Sequence, residues 1–196
     1  MMKVLFGRFK GRNLAVPAGL DVRPTTGRMR DWVCNVLRDR FPGITVLDLF
    51  AGSGSLGLHA LSLGARHVTF VEQAPMALRA IHRNLETLGV TSGEALVLRR
   101  NVLQYTKEAA GRIKVELIFV DPPYESGLLQ TLAEQLRHSE LLQPGGLLLL
   151  EHPTGLDLDL APLSLWKKKT FGRSTIQIWC NERDTSDGSP AAAGQD

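Results

Sequence analysis

The sequence predicts an α/β domain built on a mostly parallel sheet with helices on both faces. Three observations carry this. From residue 44 onward, short apolar runs alternate with amphipathic helical patterns. Glycines cluster where the first long run gives way to a helix, and after residue 151 the rhythm changes to two paired strands. Strand–helix alternation implies right-handed crossovers and a parallel sheet covered on both sides.

In chain order, "KVLFGRFKGRNLAV" reads as a small hairpin turning at Lys10-Gly11. "TTGRMRDWVCNVLRDRF" then reads as a helix whose start a threonine hydroxyl can cap. Strands are expected at 44–50, 67–72, 95–100, 115–120 and 146–151, with helical segments between them. One of these, "APMALRAIHRNLETLG", places Met76, Ala80, Leu85 and Leu88 near a common face, and Gly89 suits its C-terminal stop. "LSLWKKKTFGRSTIQIW" reads as a hairpin joined at "FGRS" that closes one side of the sheet. The last stretch, "NERDTSDGSPAAAGQD", has almost no large apolar side chains and is expected to be disordered. The chain thus divides into a basic extension (1–40), a core domain (41–181) and a tail (182–196).

Composition narrows the classes. A hydrophobic content of 43% supports a real core, and the apolar runs are strand-length, far short of the ~20 residues a bilayer needs. No signal peptide is apparent, and Cys34 and Cys180 read as reduced core residues, so a cytoplasmic protein is expected. The five histidines (His59, His67, His82, His138 and His152) show no ligand spacing, and no metal is expected. Only His152, at a strand end, falls near the presumed cleft. The net charge of +3 is uneven: residues 1–40 hold nine Lys/Arg against three acids. A basic flap on a mildly acidic body suits a polyanionic partner, with Arg8, Lys10, Arg12, Arg23, Arg28 and Arg30 as its candidate contacts. Lys167–Lys169 reads as a solvated strand edge.

The first long strand runs into "LDLFAGSGSLGLHAL", where Gly52, Gly54 and Gly57 satisfy G-x-G-x-x-G, and Glu72 ends the next strand 20 residues after Gly52. Glycines let backbone approach a ligand, a helix N-terminus presents free N–H groups, and an acid grips ribose hydroxyls. This points to an adenosine-type cofactor without saying which one. Asp48 puts a carboxylate where a dinucleotide's pyrophosphate would be repelled, whereas the ammonium of S-adenosylmethionine would be attracted. Asp48 can equally bond loop amides. Asn101 can reach an adenine edge, with the Val102 N–H beside it.

Further on, "LIFVDPPYESG" ends a buried strand at an acid, two prolines and an aromatic. Pro122 and Pro123 lack N–H groups and stiffen the turn. The corner therefore presents acceptors, the Asp121 carboxylate and the Pro122 carbonyl, beside the flat face of Tyr124. Two acceptors next to a ring suit a planar group carrying –NH₂. Holding both N–H groups favours a pyramidal nitrogen and aims its lone pair at a methyl donor.

"LDLFAGSGSLGLHAL" followed by "FVDPPY" resembles the class I S-adenosylmethionine-dependent methyltransferases that modify amino groups. Together with "GRFKGRNLAVP…VRPTTGRMRDWVCNVL", the chain resembles the RsmD type, the bacterial 16S ribosomal RNA guanine-N2 methyltransferases, over roughly residues 3–180. The resemblance implies a Rossmann-like, mostly parallel seven-stranded sheet with an antiparallel edge strand and a small N-terminal hairpin. It implies methylation of guanine 966 at N2. The expected partner is 16S ribosomal RNA in the small ribosomal subunit or an assembly intermediate, and nothing in the sequence demands a dimer, so a monomer is expected. Asp48, Phe50, Ala51, Gly52, Ser53, Gly54, Glu72, Asn101 and Val102 would then surround the cofactor, and Asp121, Pro122, Pro123 and Tyr124 would hold the base. Gly27 stands where related sequences often carry an acid.

The nearest rival is a DNA adenine-N6 or cytosine-N4 methyltransferase, but no insertion here is large enough for a target-recognition domain. A non-catalytic ribosome-assembly factor with a degenerate cofactor fold is the rival from another class, and the intact glycines, Glu72 and D-P-P-Y weigh against it. A dehydrogenase lacks a convincing hydride-side acid–base. A protein glutamine methyltransferase would generally carry N-P-P-Y.

Overall fold

The structure, a computed structural model, describes residues 2–17, 24–123 and 127–182. Arg23, Tyr124, the threonine side chains expected to cap the first helix, and the tail from residue 183 lie outside the described residues.

The N-terminal hairpin pairs β1 (Met2–Lys3) with β2 (Asn13–Leu14). A 3₁₀ turn at Gly7–Phe9 precedes the expected reversal at Lys10-Gly11, so the connection is broader than a tight two-residue turn. Helix α1 (Pro24–Val36) stops earlier than its pattern predicts, and a 3₁₀ turn at Arg38–Arg40 leads to the sheet. The sheet then alternates β3 (Thr45–Leu49), α2 (Ser55–Ser62), β4 (His67–Glu72), α3 (Pro75–Leu88), β5 (Ala95–Arg99), α4 (Val102–Ala109), β6 (Val115–Val120), α5 (Leu128–His138) and β7 (Leu142–Pro153). It closes with β8 (Ser164–Phe171) and β9 (Ser174–Cys180). Strand β7 is longer than the expected 146–151, because pairing on both of its sides carries it past the apolar run.

Seven strands lie in the order β5-β4-β3-β6-β7-β9-β8; the first five are parallel, and β9 runs antiparallel between β7 and β8. The period-2 rule sorts their side chains into two cores. Val46, Leu117, Phe119, Leu147 and Leu149 face α1, α2, α3 and the hairpin, while Leu47, Leu49, Ile118, Val120, Leu148 and Leu150 face α4 and α5. Central strands buried on both faces need continuous apolar runs, which is why they are visible in the sequence.

Helix α3 turns the expected face to the sheet at Ala80, Leu85 and Leu88, and departs from it only at Met76. Ala77, Ala80, Ile81, Asn84 and Leu88 are buried, whereas Met76 is exposed in the first turn. Three buried polar side chains on α2 and α3 then fasten the extension. Asn84 accepts from the Ala15 N–H (2.7 Å) and donates to the carbonyls of Ala15 and Ser53 (3.0 Å each). Ser62 bridges the Phe9 N–H and the Phe6 carbonyl. His59 accepts from the Leu5 N–H and donates through Nδ1 to the Ser55 carbonyl; burial pushes its pKa down to about 4, which keeps the ring neutral for both bonds.

Candidate active site

The chain leaves β3 in one direction to build β4 and β5, then returns to the other side of β3 for β6. The C-terminal ends of β3 and β6 are therefore the switch point, where sheets of this kind open a crevice. A cleft of about 220 Å³ lies there. One wall is the glycine loop, Phe50 to Ser53, with Ser55 and Leu56 of α2 behind it. Asp121 and Glu151 form the opposite wall, Leu149 and Ile176 the floor, and Met2, Val16, Met29, Arg30 and Val33 close it from the extension.

The loop is shaped by backbone constraints. Phe50 leaves β3 with φ of 59°, a left-handed conformation that costs a non-glycine residue on the order of 1 kcal/mol. Gly54 caps α2 with φ of 79°, and its N–H closes a turn on the Ala51 carbonyl at 2.7 Å. Gly57 allows α2 to lie against β4, since a Cβ there would fall 2.3 Å from Phe70.

The acids around this loop divide its support. Glu72 ends β4 and holds both flanks: Oε2 accepts from the Gly52 N–H (2.8 Å), and Oε1 from those of Gln73 and Ala74 (2.7 and 2.8 Å). A carboxylate offers about four acceptor sites, so Oε2 keeps one for a ligand hydroxyl. Asp48 lies beneath the loop, 3% exposed, accepting from the Gly57 N–H at 3.0 Å. Burial, with the nearby Glu72 charge, pushes its pKa up to about 7 against the opposing effect of that hydrogen bond. Asp48 does not line the cleft; of its two expected roles, the structure displays the bond to a loop amide. Asn101 caps α4 by accepting from the Gln104 N–H and donates to Gln73, while Val102 is buried beside it.

Asp121 follows β6, and because Val120 pairs with Leu150, Glu151 sits beside it at the end of β7. Sequence reasoning missed Glu151, whose placement depends on lateral register between strands 30 residues apart. Asp121 is exposed to the cleft, yet the cleft walls crowd it. That enclosure, then the charge of Glu151 and the hydrogen bond between the two side chains, hold the Asp121 carboxyl well above the ordinary carboxylate range. Asp48 adds a further push in the same direction. Pro122 is buried and Pro123 exposed; Tyr124 falls outside the described residues.

The basic residues are split between roles. Arg30 lines the cleft, donating to Ser55 Oγ at 3.3 Å, and its Nε has no hydrogen-bond partner among the described residues. Burial lowers its pKa, opposed by Asp31. Arg8 instead pairs with Glu94, and Arg12 donates to the Thr87 carbonyl at 2.6 Å, so both fasten the hairpin to the body. Lys10 and Arg28 are exposed, and His152 is buried outside the cleft lining, with Nδ1 donating to the Pro153 carbonyl. Among the described residues no group of His, Cys, Asp and Glu could hold a metal ion, and no helix is long and apolar enough to cross a membrane.

Residues 2–180 match the family model described as conserved hypothetical protein 95. The chain belongs to this family, the RsmD type. Among its RsmD-type relatives, ribosomal RNA small subunit methyltransferase D of Haemophilus influenzae is 31% identical over 183 residues, covering 92% of this chain and 94% of that one. YlbH of Bacillus subtilis is 35% identical over 181 residues, covering 91% and 98%. The solved structure of YhhF from Escherichia coli superposes with a TM-score of 0.83 at 33% identity, covering 93% of this chain and 99% of that one.

Proposed function

We propose that the protein transfers a methyl group from S-adenosylmethionine to the exocyclic N2 of a guanine, guanine 966, in 16S ribosomal RNA, acting as a cytoplasmic monomer on the small subunit or an assembly intermediate. The observation that carries this is the single cleft with the glycine loop on one wall and the Asp121–Glu151 pair on the other. Names of relatives support the RNA class, among them ribosomal RNA small subunit methyltransferase D. The number 966 rests on the resemblance in sequence motifs.

The residues present fit the cofactor. Strand ends at the cleft edge follow the order Asn101, Glu72, glycine loop, Asp121, Glu151. The cleft takes in the glycine loop and the β6–β7 side, which is assigned to the base. Glu72 and Asn101 lie outside its lining on the β5–β4 side of the loop, which is assigned to the nucleoside. Glu72, fixed by three backbone N–H groups, offers its remaining acceptor site to a ribose hydroxyl. When bound, S-adenosylmethionine supplies an electrophilic methyl carried on a sulfonium.

The opposite wall supports guanine over other bases. The Watson–Crick edge of guanine presents two adjacent donors, N1–H and N2–H₂, beside the O6 acceptor. Asp121 and Glu151 provide the matching acceptors, and Arg30 a donor. Adenine and cytosine put an acceptor where guanine has N1–H, and it would face a carboxylate once the proton held by the Asp121–Glu151 pair has left. Accepting an amine N–H, the Asp121 carboxylate orients the N2 lone pair and takes up positive charge as the N–C bond forms. The surplus proton leaves through the same carboxyl pair.

Labelled donor incubated with small-subunit RNA should mark one guanine. Asp121→Ala should abolish transfer while calorimetry shows cofactor binding retained. Label on DNA alone, or thermal stabilisation by NAD but not by S-adenosylhomocysteine, would overturn the assignment.

A further inference from the structure

The basic flap expected to contact RNA is partly spent on the fold, since Arg8 and Arg12 anchor the hairpin. Uncommitted positive charge lies elsewhere, on the edge strand β8. Every residue from Leu165 to Thr170 is exposed, and β8 ends the sheet. Among the described residues, Arg40, Lys167, Lys168 and Lys169 form no ion pair, although Asp39 adjoins Arg40 in sequence.

Register connects this edge to the cleft. Glu151 pairs with Ile176, and Ile176 with Lys169, so one row of the sheet runs from the acid wall through the cleft floor to Lys169. At about 4.8 Å per strand, Lys169 stands about 10 Å from Glu151. Lys167 and Lys169 pair with Ile178 and Ile176, whose side chains belong to the core under α1, so both point to the face that carries the cleft.

Aromatic rings are interleaved with these cations. Trp32 of α1 and Phe171 of β8 form an edge-to-face pair with centroids 6.0 Å apart, and the Lys169 ammonium lies 5.8 and 5.7 Å from their centres. Lower on the strand, Trp166 is 37% exposed at a β-bulge, with Lys167 at 5.0 Å and Arg40 at 5.8 Å from its ring. Cations spaced along an edge with exposed rings between them are the chemistry of single-stranded nucleic-acid binding: phosphates meet the charges and unstacked bases meet the rings.

We infer that the β8 edge, with Lys169, Lys167, Arg40 and Trp166, is a docking track for the single-stranded RNA that flanks the target base. This inference rests on the methyltransferase reading and adds the path the strand takes. A base must leave its stack to enter the cleft, so its neighbours are locally unpaired, and the row from Glu151 to Lys169 leads them onto β8. The rival account is that the lysines only guard an open strand edge against pairing with another copy.

The test is binding of an unpaired RNA oligonucleotide by fluorescence anisotropy across a salt series. It would compare wild type, Lys167→Gln/Lys169→Gln, Trp166→Ala and the control Lys107→Gln, whose exposed lysine lies on α4, across the sheet. The double variant should flatten the slope of log affinity against log salt by about 1.4, or about 0.7 for each phosphate that is no longer neutralised. Trp166→Ala should weaken binding at least about fivefold, the low end for one stacked base. Lys107→Gln should change neither, and calorimetry should show cofactor affinity unchanged in all. An unchanged slope in the double variant, with or without new self-association, overturns the inference while leaving the methyltransferase reading intact. A wild type that binds no unpaired RNA also overturns the inference, whereas the methyltransferase reading stands or falls with labelled-donor transfer to small-subunit RNA.

Discussion

Asp48→Asn separates the cost of the site from the stability of the fold. Asp48 is 3% exposed with its pKa pushed from 3.8 to about 7, chiefly by burial. In the folded state it holds a proton between these values that the unfolded chain releases. Wild-type stability therefore falls as pH rises from about 4 to about 7. At 1.36 kcal/mol per pH unit, holding the carboxylate ionised costs about 4 kcal/mol above pH 7.

Asparagine keeps an acceptor for the Gly57 N–H and removes that titration. Its buried –NH₂ needs a partner, which costs about 1–3 kcal/mol if none is found, so the net gain at one pH is a poor measure. The difference between two pH values is better, because contacts specific to asparagine cancel. Between pH 5 and pH 8 the variant should gain about 3 kcal/mol over wild type. For a chain of this size that is on the order of 6–12 °C in Tm. Thermal melts of both proteins at the two pH values provide the measurement. A difference in Tm between variant and wild type that is the same at pH 5 and pH 8 would refute the buried, protonated Asp48.

Three other substitutions address the cleft and its supports. Glu151→Gln removes a negative charge beside Asp121 while Asp48 and Arg30 stay in place, so the Asp121 pKa should fall; the acidic limb of the methyl-transfer pH profile should move to lower pH, with kcat/KM reduced throughout. Asn84→Ala leaves the Ala15 N–H and the Ala15 and Ser53 carbonyls short of a partner, and should cost about 2–4 kcal/mol in chemical denaturation and weaken cofactor binding through the loosened loop. Gly57→Ala drives a Cβ to within 2.3 Å of Phe70 and 2.8 Å of Val68, and should cost about 1–3 kcal/mol in a thermal melt.

What the sequence makes legible follows from how local the cause is. Strands β3, β4 and β6 were readable because burial on both faces demands mostly apolar runs, interrupted inside them only at Asp48, Thr69 and Glu116, and the Gly52–Gly57 spacing because one turn needs all three glycines within six residues. Glu151 was not readable, because its place beside Asp121 is set by the pairing of Val120 with Leu150. Asn84, His59 and Ser62 look like unremarkable polar residues in helices; their partners lie 53 to 69 residues away in the extension. The signal available for Asn84 was a lone amide on the face of α3 that carries Ile81 and Leu88. Arg8 and Arg12 have partners that their sequence neighbours do not announce: Glu94 for Arg8 and the Thr87 carbonyl for Arg12.

These commitments change what the first 40 residues are. A basic arm added for RNA binding could be removed with loss of affinity alone. Here Met2, Val4, Phe9, Leu14, Met29, Val33 and Leu37 are all buried in the core that covers one face of the sheet. At about 1.5–3 kcal/mol per buried large side chain, the extension contributes about 10–20 kcal/mol of gross burial, set against the chain entropy lost in ordering it. Asn84 further ties it to the Ser53 carbonyl in the glycine loop, and Arg30 ties it to Ser55 at the start of α2. The extension is thus the roof of the cleft and part of the core. A contribution to RNA binding, as proposed, would be separable from its contribution to folding at exposed positions such as Lys10 and Arg28, where the side chain can change without opening the core.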